Sequence, residues 1–344
     1  MSRASTNYLT RLDDRLKRIA NILFLNASFI DNHGLLNGKM GIAIFFYQYG
    51  RIKGIKLLED FAGELIDEIY EEINSNTPCN FEDGLTGIGW GIEYLVRNGF
   101  AVANTDETLS ELDDIVYSNS LYTPYLFENE NSLFGYGLYF FARLQGREDN
   151  DLSTLFKKQH LIYLIDECER LLIKKQYLNF GVKSLSIDLI NSIIWFLLEM
   201  FNLRLFPSKI EKLFNALPEY IEQCVQCSVD YSSKSFLINS LNNIIRITPN
   251  KNLQQNLLHI TKYNKNTSSD KLKNDVVTEF ITNSWQQLVY YSYSIENHNT
   301  LNEVFSIIDD ELNWNERIIN LNNKNQGLKG LAGLGLGLIS LRIN

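Results

Sequence analysis

The stretch "GLTGIGWGIEYL" (residues 84–95) carries four glycines in eight positions, Gly84, Gly87, Gly89 and Gly91, and then reads as an ordinary helix. Each glycine inside a helix costs about 1 kcal/mol relative to alanine. A concentration of them therefore calls for a packing reason. The same signature appears near the end of the chain as "GLAGLGLGLISL" (330–341) and near the start as "GLLNGKMGIAIFFYQYG" (34–50). With Gly87 as anchor, the remaining apolar segments align on Gly41, Gly135, Ser184, Ser235, Ser284 and Gly333, so that seven small residues fall 46 to 51 residues apart.

Helical periodicity fills the space between these anchors. Residues 11–24 place Leu12, Leu16, Ile19, Leu23 and Phe24 on one stripe; residues 53–73 do the same with Ile55, Leu58, Phe61, Leu65, Ile66 and Ile69. Spacings of three and four mark a helix with one buried face. More highly charged helical patterns cover 157–175, 207–226 and 299–313. Each unit of the repeat thus reads as a helix pair, an amphipathic outer helix followed by a more apolar inner one, at a period typical of paired-helix arrays. Small residues at the anchors are expected to let inner helices crowd together and to leave backbone N–H groups free at the helix starts. The last unit is among the most apolar. Its cover is expected from the first unit, which favours a closed α/α toroid over an open solenoid with polar ends.

Composition narrows the function. The chain has 344 residues, a net charge of −9, 45% hydrophobic residues and 21% charged ones. The acidic balance argues against a nucleic-acid partner, which needs a basic face. The apolar run at 187–201 is too short to span a bilayer and contains Asp188 and Glu199. The beginning turns amphipathic at once, so no secretory leader is expected and a cytoplasmic location follows. Four cysteines do not make a disulfide scaffold. No proline-rich or charge-block linker interrupts residues 1–344, which predicts a single all-α domain of seven repeats.

The motifs at 34–51, 84–95 and 330–341 resemble the glycine-rich repeats of the lanthionine synthetase C-like proteins, the cyclases of lanthipeptide maturation. The likeness is strong in units one, two and seven. It implies a toroid of seven helix pairs and a role in maturing a ribosomally synthesised peptide. Active members of that family bind zinc through two cysteines and a histidine placed just before the anchors of units five and six. Here those stretches read "SVDYSSKS" (228–235) and "VTEFITNS" (277–284), with Asp230 in the place of the first cysteine and Glu279 and Phe280 in the places of cysteine and histidine. Zinc selects thiolate and imidazole ligands. The resemblance, with its ligands replaced, therefore implies a zinc-free, non-cyclising protein that needs no cofactor. Its partner would be a precursor peptide or another peptide-maturation enzyme.

Other constellations stay open beside this reading. Cys224 and Cys227 in "CVQC", with His259 further on, form a zinc-type ligand set in a different place, though buried free cysteines in a helix are common. His33 stands beside a glycine-rich turn and is suited to proton transfer near neutral pH. Asp230 and Glu279 form a carboxylate pair of the kind that α/α-barrel glycosidases use across a cavity. Trp90, Trp285, Tyr231 and Phe280 are candidates to line a central cavity for a peptide or apolar ligand. Glu82, Asp83, Asn37 and Asn283 precede anchors and read as helix caps. The "GLLNGKM" segment (34–40) lacks both the glycine spacing and the Ser or Thr of a phosphate loop. A bare interaction scaffold is the remaining class.

Overall fold

A computed structural model describes residues 3–74, 76–122, 132–145, 152–175, 178, 185–225, 231–264, 272–289 and 311–343. All of the regular structure among them is helical. In chain order the helices are α1 (Arg3–Asn26), α2 (Lys39–Lys53), α3 (Lys56–Glu72), α4 (Leu85–Arg97), the short α5 (Thr105–Thr108), α6 (Ser110–Tyr122), α7 (Ser132–Leu144), α8 (Leu152–Leu172), α9 (Ile187–Asn202), α10 (Pro207–Val225), α11 (Tyr231–Ile247), α12 (Lys251–Asn264), α13 (Leu272–Val289), α14 (Glu311–Lys324) and α15 (Leu331–Ile343), with a 3-10 turn at Ala27–Phe29. The helices at or just after the anchor positions, called inner helices below, are α2, α4, α7, α9, α11, α13 and α15, and the described helices between them are called outer. Of the predicted outer segment 299–313, residues 299–310 lie outside the described residues.

The contacts gather into two compact units, Met1–Thr108 with Asp270–Asn344, and Leu109–Ser269. In the first, α15 packs on α1, α2 and α13, and α2 packs on α3 and α4. The beginning and end of the chain therefore share one core. In the second, α9 lies between α7 and α11. Four outer helices pack chiefly on the inner helix that precedes them, α3 on α2, α8 on α7, α10 on α9 and α12 on α11, whereas α6 packs on the following α7 and α14 on the following α15. Helix α1, which follows no inner helix in the chain, packs on α15.

Burial follows the sequence periodicity. Leu12, Leu16, Ile19 and Leu23 of α1 are fully buried, while Phe24 at the edge of the stripe is 44% exposed. Helix α9 is apolar on nearly every side: Ile190, Ile193, Ile194, Phe196, Leu197 and Met200 are all inaccessible. The anchors keep register only in part. Gly41, Gly87 and Gly333 sit in the first turns of α2, α4 and α15, and Gly135 sits in that of α7. Ser284 instead lies deep in α13, which begins at Leu272.

The second unit buries a histidine. His160 of α8 is enclosed by the rings of Phe140 (4.4 Å), Tyr117 (5.4 Å) and Tyr163 (5.9 Å), and neither ring nitrogen has a partner among the described residues. Burial drives its pKa down to about 4. The unfolded chain takes up this proton near the ordinary value of about 6.5, so it binds more protons than the folded chain between the two values. Stability is therefore expected to fall as pH drops through that window, by about 3 kcal/mol from this residue. Urea unfolding at pH 7.5 and pH 4.5 measures the loss. His160→Leu should remove most of the difference, and an unchanged pH dependence in that variant would contradict the assignment.

Candidate functional site

The three strongest glycine motifs are turns that fold back onto the helices they start. Each turn opens on an asparagine whose side-chain oxygen accepts from the backbone: Asn32 from Gly34 N (2.8 Å), Asn80 from Asp83 N (2.7 Å) and Asn325 from Gly327 N (2.8 Å). Such side-chain turns are a local property of asparagine. The turn carbonyls then accept the first N–H groups of the helices. Lys39 N donates to Asn32 O (2.9 Å), Leu85 N to Pro78 O (2.8 Å) and Leu331 N to Asn325 O (3.2 Å). These N–H groups are thus not free for a ligand, contrary to the expectation from small anchor residues.

The same fold-back explains the anchors. A Cβ on Gly41 would lie 2.3 Å from Leu35 O, one on Gly87 2.1 Å from Phe81 O, and one on Gly333 1.8 Å from Leu328 O. The anchor glycines therefore admit the chain's own turn. Close approach between inner helices falls to later glycines. The Phe280 ring fills the notch at Gly337, Phe45 that at Gly335 and Met40 that at Gly91.

The three turns interlock. Asp83 Oδ1 accepts from both Asn32 Nδ2 and Asn37 Nδ2 at 2.7 Å. Asn325 Nδ2 donates to Asn37 Oδ1, and Lys329 pairs with Glu82. The backbone repeats the link, with Leu36 N donating to Glu82 O (2.9 Å) and Lys329 N to Leu36 O (2.8 Å). Asp83 and Asn37 thus tie turns together rather than capping helices. The N-caps Gly38 and Gly84 make no side-chain cap bond. His33 Nε2 lies 2.8 Å from Glu72 Oε2 at the rim of this cluster.

A pocket of about 190 Å³ opens among α2, α13 and α15. Gln48, Ser284, Gln287 and Ser340 supply its polar groups, and Leu336 and Ile339 part of its apolar wall. Ser284 Oγ donates to Phe280 O (2.6 Å) and Ser340 Oγ to Gly337 O (2.7 Å). Each hydroxyl keeps its lone pairs as acceptors. Gln48 Nε2 donates to the Tyr94 hydroxyl (2.5 Å), which leaves its carbonyl oxygen as an acceptor. Amide and hydroxyl groups beside leucine and isoleucine suit a neutral ligand rich in amides.

The aromatic candidates sit elsewhere. Trp90 is fully buried, stacked on Tyr94 (5.4 Å) and edge-on to Phe81 (6.2 Å). Trp285 and Phe280 are buried residues of α13. None of the three lines the pocket. Asp230 and Cys227 lie outside the described residues. Cys224, Tyr231 and Glu279 belong to α10, α11 and α13, but their side chains lie outside the described ones. His259 is exposed on α12. Among the described residues no three His, Cys, Asp or Glu side chains converge as a metal site. Sequence reasoning had singled out Ser284 only as a spacing mark and had passed over Gln48, Gln287 and Ser340. The available signal was polar residues interrupting otherwise apolar inner helices.

No family model matches the chain, and no curated protein matches its sequence.

Proposed function

We propose that the seven helix pairs close into an α/α toroid of the lanthionine synthetase C-like kind, and that the protein serves in maturation of a ribosomally synthesised peptide. In this reading it binds the precursor peptide, or an enzyme acting on it, without zinc and without closing thioether rings. Support for closure comes from α1, which packs on α15 as α3, α8, α10 and α12 pack on the inner helices before them. Support for peptide binding comes from one observation above all, the pocket among inner helices α2, α13 and α15 with its uncharged amide and hydroxyl groups. Such groups pair with peptide N–H and C=O without the desolvation cost of a charge.

The test is calorimetric titration with a synthetic lanthipeptide-type precursor, a leader followed by a segment rich in serine, threonine and cysteine. Binding is expected, and filling the pocket with Ser340→Leu should weaken it at least tenfold, about 1.4 kcal/mol. No binding, or binding that this variant leaves intact, would remove the pocket from the reading. Stoichiometric zinc in the purified protein would overturn its zinc-free part.

A further inference from the structure

The pocket among α2, α13 and α15 has a hydrogen-bond polarity of its own. A serine hydroxyl has one proton to give and two lone pairs to accept with. Ser284 Oγ gives its proton to Phe280 O (2.6 Å) and Ser340 Oγ gives its proton to Gly337 O (2.7 Å). A carbonyl can only accept, so neither hydroxyl can turn its proton to a ligand without breaking that bond. Gln48 points its amide nitrogen at the Tyr94 hydroxyl (2.5 Å), which leaves its Oε1 to accept. Three half-buried side chains on three helices therefore offer acceptors to one space. Gln287, exposed at the rim, brings donor and acceptor alike and keeps both in water.

The rest of the lining is apolar. Leu288, Leu336 and Ile339 form the wall, and no ionised side chain is among the described residues that line it. The volume of about 190 Å³ lies below the roughly 300–1,000 Å³ of drug-sized ligand sites, so the space suits a single side chain rather than a run of chain.

These features select among donors. An ammonium or guanidinium would lose its water without gaining a counter-ion. A primary amide has an acceptor of its own and little apolar surface for the wall, and a phenol turns lone pairs toward the serine oxygens. An indole carries one N–H donor, no acceptor and an apolar ring system. We infer that the pocket takes one tryptophan side chain of the bound peptide, its Nε1–H donating to Ser284 Oγ or Ser340 Oγ and its ring on Leu288, Leu336 and Ile339. The inference rests on the peptide reading and narrows it to one residue type.

N-acetyltryptophanamide is the probe. Its benzothienylalanine analogue keeps the fused-ring shape with sulfur in place of the N–H. Titration of the full chain should give one site for the indole compound, at least about tenfold tighter than for the sulfur compound, which leaves both serine acceptors unpaired. Ser284→Ala combined with Ser340→Ala should abolish that preference with unchanged circular dichroism, since it removes the acceptors and keeps the shape of the wall. Equal affinity for the two compounds, no indole site, or a preference that the double variant retains would overturn the inference. Its failure and that of the peptide reading are distinguishable. Precursor binding that Ser340→Leu weakens, with no preference for indole, leaves the peptide reading and removes this one; an indole site in a chain that binds no precursor does the reverse.

Discussion

Gly333→Ala is expected to destabilise the protein by about 3 kcal/mol or more. The new methyl carbon would lie 1.8 Å from Leu328 O and 2.8 Å from the carbonyl carbon that bears it. Those are backbone atoms, and they are not free to retreat. Lys329 N, on the next residue, donates to Leu36 O at 2.8 Å, and Lys329 pairs with Glu82. A shift at Leu328 would therefore pass into the first and second turns. Gly63→Ala, in the middle of α3, is the matched control. There the nearest atom to a new Cβ is the Tyr47 hydroxyl at 3.5 Å, an ordinary contact. Its helix propensity should make that variant more stable by about 0.5–1 kcal/mol. Denaturant unfolding of the two variants side by side gives the comparison. A Gly333→Ala protein as stable as the parent would mean that the turn does not press on the helix as described.

A comparable loss is expected from Asp113→Ala, at about 3–5 kcal/mol. Asp113 of α6 accepts from the Tyr139 hydroxyl (2.7 Å) and from Arg143 Nη2 (2.7 Å) and Nε (3.1 Å), and Lys157 Nζ lies 3.7 Å away. Arg143 and Lys157 are buried to within 1%. Deleting the carboxylate leaves two cations in a medium that solvates them poorly. Asp113→Leu combined with Arg143→Met should recover part of the loss, because it removes one of the two buried cations and leaves Lys157 on the Ser153 hydroxyl. If the single variant costs less than about 1 kcal/mol, the cluster behaves as a surface ion pair and this account of it fails.

How much of this was legible beforehand varies with the physics involved. The helical periodicity was legible: α1 buries the stripe that its spacings of three and four mark out, and α3 buries Leu65 and Ile69 of its own, while Leu58, Phe61 and Ile66 are half-buried and Ile55 is exposed. The glycine motifs located the turns, but their meaning was misread. Gly41, Gly87 and Gly333 make room for a turn of the same chain, and the N–H groups beside them are filled. Serine at the degenerate anchors carries no such steric demand, and Ser284 accordingly sits well inside α13 rather than at its start. Neither the Asp113 cluster nor the burial of His160 had a sequence signal. Arg143 closes a helix where a cation normally faces water, and only the approach of α6 and α8 to α7 removes it from solvent.

By itself, the sequence determined that the described residues are helical, that more and less apolar helices recur along them, and where the tightest turns fall. Those properties depend on residues within a few positions of one another, through helical periodicity, asparagine turns and the room that glycine leaves. Tertiary structure alone decided which polar side chains are buried, that the first and last motifs share one hydrogen-bonded cluster, and where the pocket opens. Asn37 and Asn325, or Asp13 and Arg342, meet only because folded helices bring them together. Pairing across such distances in the chain leaves no mark in local pattern.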